Sequence, residues 1–551
     1  MNIKISSASE VEVDTNSYYK LLNDISKDTL FDGLLGYGLF AEKIPPFLTA
    51  EYFLSFCKDE NNVGILDNSS KPHKYINYQN IRNTNIPRIL GIPNPFAYYY
   101  QCKILSDNWD KLLKYFKEKT QGQKHKISRI HIRKLKDKKH LFEMNYKNFE
   151  VDDYPEPSLL IGKKYLVKAD ISNCFPSIYT HAIAWALVEK SKAKKDKEYS
   201  KWFNQVDKAT RHLKDSETHG ILIGCHSSNL ISEIILTAID KEMYDKNYSY
   251  IRNIDDYDCY VETMEKAEQF LIDLSMELRK YDLTLNLKKT KILSLPIAST
   301  EHWVRKLNLF LFHNQYPKDG AEKNNEIDFC TTRAYLDTAL DLMAQNNENS
   351  AILKYAIKVI AKKNLAHRAK QYFINTVHHL VLIYPYLIGM IDEYVFSRFT
   401  LSQNTKKAIA TNIFEFGKEK NAFEAMSYAL YFALKYNFKI RDNLFEIVEK
   451  THDAVLLLLA FLHDKKFIGN SALKNYQDLA QSFIDNIDEY WLFIYEVLDE
   501  ENLSDDWKII KEKGVSFIKK DFLDNKTSLS LPHTRLRRRK TRCKIASTKE
   551  P

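Results

Sequence analysis

The chain has 551 residues, 44% of them hydrophobic and 13% aromatic, with a formal net charge of +9. That length exceeds one hydrophobic core and predicts two or more domains. Seven cysteines, odd in number and without a CxxC pair, favour reduced thiols over a disulfide framework or a zinc site.

Glycine and proline number only 14 each, well below their usual shares of roughly 7% and 5%. So little punctuation favours long helices with short connections. The charge is unevenly spread. The segment from Arg535 to the end carries eight Lys or Arg against one Glu, leaving 73 basic and 71 acidic groups elsewhere out of totals of 81 and 72. A basic tail suits contact with a polyanion or simple solubility, and the near-neutral remainder argues against broad, nonspecific DNA coating.

The opening "MNIKISSASEVEVDTNSYYK" is polar and acidic and contains no signal region. The longest apolar runs, 380–391 and 454–462, fall short of the ~20 residues that cross a bilayer. Both are expected in a core, and the protein is expected in the cytoplasm, away from membranes.

In chain order, "SRIHIRK" (128–134) alternates, with Ile130 and Ile132 on one face and Arg129, His131 and Arg133 on the other. "KKYLVKADI" (163–171) reads as a buried strand leading to Asp170. "YSYIRNIDDYDCYVE" (248–262) reads as strand, tight turn, strand, with Asp255 and Asp256 at the turn. "TMEKAEQFLIDLSMELRKY" (263–281) has helical periodicity. After about 330, amphipathic segments follow one another at roughly 20-residue spacing, as in an irregular α-solenoid or a compact helical bundle. The tail from about 526 is expected to be disordered.

Two adjacent carboxylates repel, so Asp255 and Asp256 are either an exposed turn or a cation site. Phosphoryl transfer at two metal ions ~3.5–4 Å apart calls for about three converging carboxylates, and Asp170 supplies a third if the two strands are neighbours. Five residues beyond it stands Phe175, either a core residue or a ring that excludes a 2′-hydroxyl.

In this order the words resemble those of the reverse transcriptases. "KADISNCFPSI" resembles the first palm motif, which implies Asp170 and the backbone of Ile171 as metal ligands and Phe175 as the sugar gate. "HGILIGCHSSNLISEIILTAID" (219–240) resembles the second, its glycines falling on Gly220 and Gly224 and its serine on Ser228, where a helix should start. "RNIDDY" resembles the third and "LTLNLKKTKI" (283–292) the fourth, with Lys289 as the implied proton donor to pyrophosphate. "PRILGIPNPFAYYYQCKIL" (87–105) resembles the fingers segment, and Arg129 and Arg133 are then expected against triphosphate or template. The implied architecture is α+β: fingers and palm over 1–315, an all-α helical-repeat (HEAT-like) domain over 316–525, and a basic tail over 526–551. The implied cofactor is Mg²⁺ in a two-metal site, with Mn²⁺ as an alternative.

A narrower resemblance, to the abortive-infection (AbiK-like) reverse transcriptases of bacterial phage defence, rests on "YTHAIAW" (179–185) and "ETHGI" (217–221). It implies DNA synthesis from dNTPs without a template, started on a protein tyrosine and leaving single-stranded DNA attached to a homo-oligomer. A primer must be mobile, which directs attention to Tyr37 between Gly36 and Gly38, with Tyr18 and Tyr19 as alternatives. His181 and His219 are expected to bond helix ends or loops and not to act as bases. Two departures stand out: Asn253 where the third motif has an aromatic residue, and Leu222 where the second has Pro. Both touch ordinary primer–template handling. The rival readings are a templated retroelement polymerase and a palm scaffold whose helices bind a partner.

Overall fold

The computed structural model describes residues 17–62, 66, 70–82, 86–129, 133–134, 142–143, 155–298, 300–312 and 326–523. The expected boundary at 315–316 and the basic tail lie outside them.

The strands β1 (Tyr75–Asn80) and β2 (Arg88–Pro93) pair antiparallel, with Tyr75 opposite Pro93. The helix Pro95–Asp107 follows at once. Asn94 caps it, its side-chain oxygen accepting from the amides of Phe96 and Ala97, and Pro95 occupies the first turn, where its missing N–H costs nothing.

A second sheet carries the chemistry-bearing words. Its strands are β3 (Tyr165–Asp170), β4 (Ser249–Asn253), β5 (Asp256–Val261) and β6 (Lys291–Ser294), in the order β4-β5-β3-β6 with every neighbour antiparallel. Residues 163–171, 248–262 and 263–281 adopt the strand, hairpin and helix that their periodicities predict. The helix Met264–Arg279, capped by Thr263 accepting from the Lys266 amide, packs on this sheet beside the helix His226–Asp245. Phe270, Tyr250, Tyr257 and Leu274 fill the interface and are fully buried.

From Phe329 onward the described chain is helical. The helices Gln403–Lys420 and Phe423–Tyr436 end on Asn421 and Asn437, whose φ values of 52° and 59° are left-handed. In a chain poor in glycine, asparagine takes the C-terminal position that glycine usually fills. The run at 454–462 lies in the helix Ala454–Phe467, buried from Ala454 to Asp464, and the run at 380–391 breaks at Pro385. Among the described residues, no helix is long and apolar enough to cross a membrane.

The helices do not stand apart from the sheets. Trp491 packs edge-on against Phe517 at 4.8 Å, Phe96 lies 4.6 Å from Trp507, and the Thr49 amide donates to the Phe517 carbonyl at 2.8 Å. One continuous core runs from Tyr18 to Ile518.

Candidate active site

The β3–β5 register sets Asp170 directly opposite Asp256, and the Ile171 amide donates to the Asp255 carbonyl at 3.1 Å. The sheet thus brings together three carboxylates separated by 85 residues of sequence. From the far side, the segment after residue 283 closes on Asp170. Asn286 donates its side-chain amide to Oδ1 at 2.9 Å, and Lys289 Nζ donates to Oδ2 at 2.7 Å.

A two-residue turn presents the Asp pair, with Asn253 and Asp256 as the closing residues. Its first residue, Ile254, has φ 54°. That left-handed region suits glycine, and a β-branched residue there is an outlier costing on the order of 1–3 kcal/mol. Arg252 holds it. The fully buried guanidinium donates from Nη1 to the Ile254 carbonyl at 2.8 Å, from Nε and Nη2 to Asp240 at 2.9 and 2.6 Å, and from Nη1 and Nη2 to Glu233 at 2.9 and 3.2 Å. Glu233 and Asp240, seven residues apart, face the same side of the helix His226–Asp245.

Crowding raises the proton affinity of the carboxylates. Burial, then repulsion from Asp255 and a hydrogen bond with Asp170, pushes Asp256 up to about 6. Burial followed by the Asp170 charge raises Asp255, against the opposing pull of Lys289 and Arg88. The bond to Asp170 raises Lys289. A group of carboxylates in which protons are held this firmly is one that cations relieve.

The donors are hard oxygens, the class that Mg²⁺ takes. Among the described residues, no three His, Cys, Asp or Glu side chains are grouped so that they alone could hold a metal ion. Mg²⁺ is ordinarily held by one or two carboxylates with water and substrate phosphates completing the shell, so the residues present fit the ion.

Phe175 lies in the short helix Cys174–Ser177, partly buried against the core. Gly220 and Gly224 have φ 80° and 126°. A Cβ at Gly220 would stand 2.7 Å from the Pro176 carbonyl oxygen, and one at Gly224 3.0 Å from Ala41, so both positions demand glycine. Ser228 is buried in the first turn of its helix, 3.2 Å from the Cys225 thiol.

Arg129 is not on an open polar face. It is fully buried, its Nη2 3.5 Å from Glu156 Oε2, and its amide bonds the Arg252 carbonyl. Arg133 belongs to a short strand paired with Phe142–Glu143, and its side chain lies outside the described residues. Besides Lys289, an exposed cation that couples electrostatically to Asp255 is Arg88, at the start of β2. It stood within the fingers word, but nothing in its spacing marked it.

The candidate tyrosines are scattered. Tyr18 is buried and donates to Glu233 at 2.9 Å, and Tyr19 donates to Asn23 at 2.9 Å. Tyr37 ends the helix Lys27–Tyr37. Its flanking glycines serve close packing: a Cβ at Gly36 would meet Leu54 at 2.7 Å, and one at Gly38 would meet His226 at 2.7 Å. His181 bonds Asp207 at 2.6 Å, and His219 bridges to Tyr179.

No curated protein matches the sequence. Among solved structures, an apo telomerase from Candida tropicalis, truncated from its C-terminal domain, is 13% identical with a TM-score of 0.28, over 42% of this chain and 52% of that one. The match thus spans about half of the telomerase chain. Residues 102–330, which hold all four palm-like words, match the model of the reverse transcriptase (RNA-dependent DNA polymerase) family.

Proposed function

We propose that the chain is a DNA polymerase of reverse-transcriptase type that joins deoxynucleotides without copying a template, as part of an antiphage abortive-infection system. The observation that carries the polymerase reading is the meeting of Asp170, Asp255 and Asp256 at the end of one sheet, with Lys289 bonded to Asp170.

Asp170, Asp255 and Asp256, with the Ile171 backbone, would hold Mg²⁺ or Mn²⁺, which when bound neutralises triphosphate charge and polarises the reacting phosphorus. The protein's own part is positional. A 3′-hydroxyl, or a tyrosine hydroxyl in the first round, loses its proton to solvent and forms the new bond to the α-phosphorus while the bond from that phosphorus to the α–β bridging oxygen breaks and pyrophosphate leaves. Lys289, protonated and beside Asp170, supplies the leaving group's proton. Phe175 closes the sugar side against a 2′-hydroxyl, Gly224 and Ser228 shape the nucleotide's floor, and Arg88 faces the triphosphate from the fingers.

The untemplated, protein-primed part of the reading is supported by the "YTHAIAW" and "ETHGI" words, by Asn253 and Leu222 at positions that elsewhere grip the duplex, and by a helical region, read as repeats, folded back on the fingers. A single-stranded product attached to a homo-oligomer completes the proposal.

The test is incubation of the purified protein with each labelled dNTP, with and without template. Incorporation without template, lost in Asp255→Ala/Asp256→Ala, is the expected result. Incorporation that requires template would replace this reading with the retroelement one. Activity retained in the double variant would remove the carboxylate assignment.

A further inference from the structure

The Tyr179–Trp185 word lines a cavity of about 520 Å³. That is within the 300–1,000 Å³ typical of small-molecule sites. None of its lining residues belongs to the Asp170–Asp255–Asp256–Lys289 group. One wall is aromatic. The Tyr179 ring lies 5.5 Å from Trp185 and edge-on to His181 at 5.0 Å, while Tyr199 stands at the rim, 59% exposed.

The charge of the cavity is one-sided. Its one anionic residue, Asp207, is buried and already engaged, bonded to His181 at 2.6 Å with Arg211 at 3.4 Å. That leaves Lys194 and Lys197, both exposed on the lining, with no carboxylate in the cavity to balance them. The rings are inclined, Tyr179 at 59° to Trp185, and Lys190 covers one face of Trp185 at 3.7 Å. An aromatic wall of this kind next to unbalanced cations is recognition chemistry for a base attached to a phosphate.

We propose that this cavity is a second nucleotide-binding site, separate from the carboxylate cleft. The base lies against the Tyr179–Trp185 wall under Tyr199, and Lys194 and Lys197 hold the phosphate. A backbone ladder connects the site to the sugar side of the palm: the Thr180 amide donates to Thr218 at 2.8 Å, Gly220 to Ile178 at 2.8 Å, and Ile221 to Phe175 at 3.0 Å. The ligand is a nucleotide unit, either free or within a single strand, and the two sources are separable.

The experiment is ultraviolet crosslinking of the full-length protein to 5-iododeoxyuridine monophosphate and to an octamer of the same nucleotide, followed by peptide mapping. Binding is read directly, so the outcome does not depend on polymerase activity. Label is expected on peptides containing Tyr179, Trp185 or Tyr199. It should fall at least tenfold in Lys194→Glu/Lys197→Glu and about five- to thirtyfold in Tyr199→Ala, all three being surface changes that leave the core intact. Labelling by the monomer identifies a free nucleotide as ligand, and labelling by the octamer alone identifies a strand. Label absent from 179–199 with both probes, or unchanged in both variants, overturns the proposal.

Discussion

Arg252 donates to the carbonyl oxygen of Ile254, two residues ahead in its own chain, at 2.8 Å. The bond runs from a buried ion network to the turn that presents Asp255 and Asp256. Asp240 and Glu233 fix the guanidinium from behind, Ser128 and Tyr18 donate to the same Glu233, and the strained Ile254 is held in place. The carboxylates are thus positioned by charges one layer beneath them.

Removing the cation should therefore cost far more than removing one bond. Arg252→Met strands two buried carboxylates and should destabilise the protein by about 3–5 kcal/mol, read as a lower urea midpoint. Adding Glu233→Gln and Asp240→Asn should recover most of the loss. An unchanged midpoint in the single variant would show that the network is not the anchor.

The strands, the hairpin and the long helices were legible because burial imposes periods of 2 and 3.6 on the sequence. The Asp pair was legible because like charges side by side need a reason. What was hidden is what pairs across the fold. "SRIHIRK" gave Arg129 a polar face by alternation, yet Arg129 is buried against Glu156 because strand alternation says nothing of what covers that face. Glycines around Tyr37 read as flexibility, whereas Leu54 and His226 fill the space that their missing Cβ atoms leave. Glu233, inside the apolar run 230–239, with Asp240 at its end, was an overlooked signal of a buried cation.

Phe175 should set sugar choice if its ring closes the nucleotide's sugar side. Phe175→Ala should raise ribonucleotide incorporation relative to deoxynucleotide by tenfold or more, because the exclusion is steric. Competition between labelled dNTP and rNTP measures it, and an unchanged ratio would leave Phe175 a packing residue.

Glu424 ties the helical region to the end of β1, accepting from the Ile81 amide and from Asn80. Burial pushes it up to about 7 against these bonds. A carboxyl raised in the folded state holds its proton more tightly there than in the unfolded chain. Its contribution to stability is then full below about pH 4.5 and is lost as pH rises towards 7. The urea midpoint of the wild type should fall through that window, by up to roughly 1.4 kcal/mol per pH unit, and Glu424→Gln should remove this component. Parallel wild-type and variant profiles would show that the group is not titrating in the window.

The tail beyond the described residues carries a net +7 from Arg535 onward. If it holds single-stranded product, truncation after Leu531 should weaken binding of oligodeoxythymidine most at low salt and flatten the salt dependence. Equal slopes for both proteins would assign the tail to solubility.

Protein priming, as proposed, would place the strictest demand on the fold. The tyrosine must reach Asp170 and the growing DNA must leave. Tyr18 is committed to Glu233 in the core, so its release would disturb the Arg252 network. Tyr37 is half-exposed at a helix end and borders a cavity of about 370 Å³ with Tyr52, His226 and Lys519. Burial, with Glu51 and Asp32 nearby, raises its hydroxyl, so it is a poor nucleophile where it rests. The last turn of its helix must open for it to act, against the packing of Gly36 and Gly38. Tyr37→Phe should then remove covalent protein–DNA adducts at least tenfold while leaving the unfolding midpoint unchanged, since only a hydroxyl is lost. Digestion and mass spectrometry after labelling should find the nucleotide on the peptide containing residue 37. An adduct on any other tyrosine would exclude Tyr37, and free DNA ends with no adduct would exclude protein priming.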